Sequence, residues 1–207
     1  MAIDTLVLGI GNMLWADEGF GIRAVNALNA GWRFPEAVTL MDGGTQGMYL
    51  LPYVQAARRM IVFDAIDYRL PPGTLQLIRD GDIPSYLGIG KMSLHQSSFQ
   101  EVLSFAKLTG QSPQKALLIG VQPELLMDFG GSLTATVRAK LPEALEVALA
   151  QLADWGQPGT PRGPGDCEGL ADASLAIEAY ESGRPSAEEA CRIGDPRVLS
   201  MRVPEGP

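Results

Sequence analysis

Apolar residues along this chain fall into short runs that end at a glycine or an acid, each followed by a stretch with helical spacing. Thr5 to Ile10 is a β-branched and leucine run closed by Gly9 and Gly11, and the residues from about Gly19 to Asn29 then read as a helix. Ala37 to Met41 predicts a second strand stopping at Asp42-Gly43-Gly44, with a helix from Met48 to Ala57 behind it. Arg59 to Phe63 predicts a third, buried strand that ends at Asp64. Gly73 to Ile78 alternates polar and apolar positions between Pro71-Pro72 and Asp80-Gly81, which suits an edge strand. Ser97, with Gln100 three residues on, gives a capping-box pattern ahead of a helix reaching about Leu108. Lys115 to Val121 is the last predicted strand, and Thr134 to Trp155 a helical region that restarts at Pro142, because proline suits a first helical turn and disrupts an interior.

Strands alternating with helices predict the α/β class: a three-layer α/β/α sandwich around a twisted, mostly parallel five-stranded sheet, with Gly73 to Ile78 as an antiparallel edge. Residues 1–155 form the predicted domain. From Gly156 the composition shifts: 156–207 holds seven of the fifteen prolines and eight of the 24 glycines, which predicts a partly ordered appendage with short helices at Leu170 to Glu181 and Ser186 to Ile193. In a parallel sheet ligands collect beyond the carboxyl ends of the strands. That directs attention to Gly11 to Glu18, Asp42 to Gln46, Asp64 to Asp67 and the loop carrying His95.

Composition narrows the partners. A net charge of −8 repels nucleic acid and anionic membranes, and suits a metal ion or a basic peptide. The opening MAIDTLVLGIG lacks a basic n-region and is too short to span a membrane, so the expected location is the cytoplasm. Cys167 and Cys191 form neither a CxxC pair nor a dense framework and are expected as reduced thiols. Nothing in the sequence demands a dimer, and a monomer is expected.

Gly9-Ile10-Gly11-Asn12 after a strand invites a dinucleotide reading, but Leu14 stands where that site needs a third glycine or alanine. Asp17 and Glu18 then sit at a helix start. Carboxylates are favoured there by the helix dipole and free amides, so Asp17 reads as a cap, leaving Glu18 for other work. Asp42-Gly43-Gly44-Thr45 reads equally as a capped glycine turn or as a groove that a peptide backbone can approach closely. Asp64 alone would be a turn cap, and His95, the only histidine, a structural residue. As a set, Glu18, Asp64 and His95 fall on one predicted edge and supply two carboxylates and an imidazole, a partial shell for a divalent first-row metal. There is no serine-centred elbow, Cys/His pair or HExxH helix.

GIGNMLWADEGFG at 9–21, DGGTQG at 42–47, VFDAIDY at 62–68 and LHQ at 94–96, in that order, resemble the hydrogenase maturation endopeptidases, which trim the C-terminus of the [NiFe]-hydrogenase large subunit after nickel insertion. The resemblance spans most of residues 1 to about 155. It implies a twisted mixed sheet between helices, metal contacts at Glu18, Asp64 and His95, and a role in cleavage or substrate placement for Asp42, with Gly43, Gly44 and Thr45 beside the substrate. It further implies nickel delivered by the large-subunit precursor rather than a resident cofactor. Two rivals use the same features: a nickel checkpoint chaperone that does not cut, and a nucleotide-using α/β enzyme built on Gly9 and Gly11.

Overall fold

In the computed structural model, residues 3–83, 94–163, 169–170 and 172–183 are described, with side chains from residue 99 onward in the helix that begins at Leu94. In chain order the elements are β1 (Ile3–Ile10), a 3-10 turn (Ala16–Gly19), α1 (Phe20–Gly31), β2 (Trp32–Arg33), β3 (Val38–Gly44) and α2 (Leu51–Ala56), which follows a 3-10 turn at Gly47–Leu50. Next come β4 (Ala57–Ala65), β5 (Leu75–Arg79), α3 (Leu94–Leu108), β6 (Lys115–Val121), α4 (Ala135–Arg138), α5 (Leu141–Asp154), β7 (Thr160–Pro161) and α6 (Ile177–Ser182).

The five-stranded sheet has the order β3-β1-β4-β6-β5. All its neighbours are parallel except β5, which pairs antiparallel with β6 from Leu75↔Val121 to Arg79↔Leu117. The strands are apolar on both faces because both are covered. Alternation sends Val7, Ile61, Phe63, Leu117 and Ile119 to one side, against Phe20, Ala24, Val25 and Leu28 of α1 and Ala144, Ala148 and Leu152 of α5. Leu6, Leu8, Met60, Val62 and Leu118 go to the other, against Val54 of α2 and Phe99, Val102 and Ala106 of α3. This is the predicted three-layer α/β/α sandwich.

Local details differ from the sequence expectations. Helix α3 begins at Leu94, so Ser97 lies inside the helix rather than at its N-cap. A capping-box pattern marks where a helix can start, and an earlier turn is free to form when nothing interrupts it. The helix expected from Met48 divides into the 3-10 turn and α2, with proline in the first turn of the latter. Within the appendage, β7 pairs antiparallel with β2, and α6 falls in the predicted Leu170 to Glu181 region. Ser186 to Ile193, Cys167 and Cys191 lie outside the described residues.

The glycines of the first motif make a packing seam. A Cβ on Gly9 would overlap the carbonyl of Gly21, a Cβ on Gly21 would overlap the carbonyl oxygens of Ile10 and Phe63, and a Cβ on Gly11, at φ +139°, would overlap the carbonyl of Glu18. The start of α1 is thus pressed directly onto the ends of β1 and β4. Its neighbours are backbone atoms that cannot swing away, so Gly21→Ala is expected to cost roughly 3 kcal/mol or more. That corresponds to a fall of about 6–12 °C in melting temperature, measurable by calorimetry.

Candidate active site

Four of the sequence-predicted residues sit at the carboxyl end of the parallel strands, each placed by its element. Asp42 is in β3, level with Gly9 of β1, which is in turn level with Phe63 of β4. Asp64 follows Phe63 and is level with Gly120 of β6. Glu18 lies in the Ala16–Gly19 turn, which packs against β4. Its carbonyl accepts from the Asn12 amide at 3.1 Å, so the backbone of Glu18 is fixed by the glycine seam while its side chain remains half-buried. His95 is in the first turn of α3, on the sheet face to which Asp64 turns, and its side chain lies outside the described residues. Among the described residues no three His, Cys, Asp or Glu side chains form a group able to hold an ion.

Strand alternation separates Asp42 from Asp64. Val38 and Leu40 pack on the α1 side, so Asp42, two residues on, also faces α1; Asp64 follows Met60 and Val62 to the α2 and α3 side. With β1 between their strands, the two lie two inter-strand spacings apart, about 10 Å. The turn carrying Glu18 packs on β4, the strand of Asp64, and Asp42 stands across the end of β1 from that strand. The ground between is glycine: Gly43 is bulged against β1, and Gly44, at φ +47°, accepts from the Gly11 amide at 3.1 Å. Thr45 is exposed beside them.

Burial pushes the Asp42 carboxyl above the ordinary aspartate range, opposed by a hydrogen bond from the Gly44 amide and by the positive charge of Arg23. The pKa-raising influence that the local sequence does not display is thus supplied by the fold. Arg23, on α1, is itself buried. Its guanidinium donates to the carbonyl of Leu175 and stacks over the ring of Tyr180 at 5.2 Å, so the appendage covers the cation that faces Asp42.

The surroundings of Asp64 are equally fixed. Its Oδ1 accepts from the Ala65 amide at 2.8 Å. Gln122 holds the segment that follows: its Oε1 accepts from the amides of Tyr68 at 2.7 Å and Leu70 at 3.2 Å, and its Nε2 donates to Asp67 Oδ1 at 3.1 Å. Asp67 and Tyr68 of the VFDAIDY motif therefore shape the loop after Asp64.

One sequence reading changes. Asp17 does not cap α1, which has Gly19 at its N-cap and no side-chain cap bond. It is fully buried, and its carboxylate accepts from the amides of Glu124 and Leu125, each at 2.9 Å, and of Thr134 at 2.8 Å. Ala16, at φ +37°, bends the chain so that Asp17 enters the interior while Glu18 stays half-buried. Partners more than a hundred residues away leave no local signal, and the adjacent pair of acids is the only hint the sequence holds. The glycine turn, as Leu14 already argues, is not a phosphate cradle. The amides of Gly11, Asn12, Leu14 and Trp15 already donate to Gly44, Glu18, Asn12 Oδ1 and the Asn12 carbonyl, and close helix–strand approach comes from Gly9 against Gly21 rather than from position 14.

Comparison with known proteins agrees with this geometry. The family model "Hydrogenase maturation protease" matches residues 22–151. The hydrogenase expression/formation protein HupM of Azotobacter chroococcum is 56% identical over 95% of this chain and 93% of its own length. The corresponding HoxM of Cupriavidus necator is 51% identical over 94% of this chain and 97% of its own. The solved structure of the hydrogenase maturating endopeptidase HybD from Escherichia coli superposes with a TM-score of 0.73 at 40% identity, covering 77% of this chain and 98% of that one. On these grounds, with the sheet and the motif-bearing strand ends in place, the chain belongs to the hydrogenase maturation protease family and is a peptidase.

Proposed function

We propose that this peptidase removes the C-terminal extension of a [NiFe]-hydrogenase large-subunit precursor after nickel insertion, and that nickel carried by the precursor is gripped by Glu18, Asp64 and His95. The observation that carries this reading is the packing of the Glu18 turn on β4, the strand that also carries Asp64 near its carboxyl end. The family relationship supports the same substrate class. Nickel here belongs to the substrate: thiolates of the precursor hold it, and two carboxylates with an imidazole are suitable donors to complete its coordination. Only the loaded precursor gains binding free energy from these side chains, so cutting becomes conditional on metallation.

From the ion the precursor chain runs past the end of β1 to Asp42, with Gly44 and Thr45 admitting its backbone; Gly43 is buried against Leu8 and serves the packing of β3 on β1 rather than the substrate. Asp42 takes a proton from water, the hydroxide adds to the scissile carbonyl, and the proton passes to the departing amine as the C–N bond breaks. Its half-buried, raised carboxyl suits a base better than an ordinary surface aspartate. Residues 1–155 carry this chemistry, and the appendage braces α1 through Arg23. The enzyme works as a monomer in the cytoplasm, beside its precursor.

The test is incubation of nickel-loaded and nickel-free precursor with the protein, followed by intact-mass measurement. Shortening of the loaded form alone is expected. Equal trimming of both forms would remove the metal-sensing role, and an unshortened loaded precursor in a stable complex would make the protein a checkpoint for this substrate instead of its protease.

A further inference from the structure

Between β6 and α4 the sequence Glu124-Leu-Leu-Met-Asp-Phe129 is largely apolar, yet much of it faces solvent. Met127 is 82% exposed, Phe129 65% and Leu125 42%, and Leu14, which meets this segment, is 45% exposed. Single exposed apolar residues are ordinary, whereas several gathered in one place mark a surface that another molecule covers.

The segment is also held firmly. The buried Asp17 carboxylate accepts from Glu124 N, Leu125 N, Thr134 N and, at 3.2 Å, the Thr134 hydroxyl. The Asp17 amide donates back to the Leu125 carbonyl at 3.1 Å, and the Gly130 amide donates to the Leu14 carbonyl at 2.7 Å. Trp15 bridges to Phe129 and Gly131, with the two aromatic rings edge to face at 5.3 Å. Three residues within one four-residue stretch thus divide the work: Trp15 supports Phe129, Asp17 ties both ends of the segment, and Glu18 is left half-buried beside them.

We propose that Asp17 is a positioning residue that holds 124–134 as a preformed apolar lip, and that an apolar stretch of the metal-bearing precursor docks on this lip beside Glu18. The proposal rests on the reading of Glu18 as a contact to the substrate's ion. The lip is continuous with that site: it is tied to the very turn that carries Glu18, so a precursor reaching Glu18 passes over it. An acidic segment is disfavoured by the net charge of −8 and by Glu124 within the lip itself. Rigidity in the free protein removes the ordering cost of docking, which is the purpose that buried, saturated hydrogen bonding of an exposed apolar loop serves.

The experiment compares wild type, the Met127→Ser/Phe129→Ser double variant and Asp17→Asn on nickel-loaded precursor, reading KM, kcat and direct precursor binding by interferometry, with melting temperature as the folding control. The double variant alters only exposed side chains. It is expected to raise KM and the dissociation constant about tenfold or more, the loss falling on KM rather than kcat. Asp17→Asn keeps the shape but loses the charge that strengthens bonds from three amides, and is expected to raise KM in the same sense. A merely structural Asp17 would lower melting temperature and active fraction while leaving KM unchanged, which would overturn the positioning role. Unchanged KM and binding in the double variant would overturn the lip, as would self-association of this chain that disappears in the double variant while precursor binding stays. Should wild type bind the precursor without cutting it, the functional reading fails, and the binding comparison still decides the lip.

Discussion

Replacing Asp42 with asparagine is expected to lower the rate of precursor cleavage by about 10²- to 10⁴-fold, the range spanned by a positioned proton-transfer group, while the variant melts no lower than wild type at pH 7. The second half of this expectation follows from the environment of the carboxyl. Burial raises its pKa above the ordinary value, and the Gly44 amide and Arg23 only partly oppose that effect. The folded protein therefore holds the Asp42 proton more tightly than the unfolded chain. Stability from this group is present below the unfolded pKa, near pH 4, and is lost as pH rises through the higher folded value. At neutral pH the ionised, half-buried carboxylate destabilises the fold, and asparagine relieves that cost while its Oδ1 still accepts from Gly44. The difference in melting temperature between variant and wild type should close as the buffer is taken below about pH 4. Cleavage by wild type should decline with acidification in the interval just above the ordinary aspartate range. A variant both inactive and clearly less stable at pH 7 would show that Asp42 is a structural residue.

The strands, the antiparallel edge and the three layers are largely readable because both faces of the sheet are covered, so the strands stand out as short apolar runs ending at Gly11, Gly44 and Asp64, whereas the order β3-β1-β4-β6-β5 comes only from the structure. Side-chain direction at the strand ends was less accessible. Asp42 and Asp64 look equivalent as acids that end apolar runs, and only the alternation of their neighbours, set against the two hydrophobic layers, sends one toward α1 and the other toward α3. Gly9, Gly11 and Gly21 were visible as a motif, but their purpose was not. A glycine needed for a phosphate and one needed for a carbonyl of a neighbouring element leave the same letter in the sequence, and here carbonyls occupy the space. Asp17 was misread for a related reason: beside a helix start a local cap is the nearest use for a carboxylate, and its actual partners, Glu124, Leu125 and Thr134, come together with it only through tertiary folding. Arg23 fell inside a helix, where nothing announces a cation facing Asp42, and its partners Leu175 and Tyr180 belong to a region whose composition suggests a linker.

Among the three proposed nickel contacts, Glu18→Gln is the most discriminating substitution. Asp64 is buried at the end of a core strand, and its replacement disturbs the hydrogen bond to Ala65 as well as any contact with an ion. Glu18 meets the glycine seam through its backbone carbonyl, which accepts from Asn12 and lies against Gly11, so glutamine at this position leaves the seam intact. The expected result is a normal melting temperature together with a loss of roughly tenfold to a hundredfold or more in kcat/KM on nickel-loaded precursor, since perturbing even the outer partners of a metal site costs that much. His95→Ala should fall in the same direction, because the imidazole is the nitrogen donor that turns two carboxylates into a set favouring nickel over calcium or magnesium. The decisive quantity is the ratio of cleavage rates on loaded and nickel-free precursor. If the trio senses the ion, each substitution lowers the loaded rate toward the nickel-free one and the ratio contracts. If both rates fall in proportion, Glu18 and His95 support the protein or the peptide rather than the metal, and the condition on metallation must arise elsewhere in the encounter.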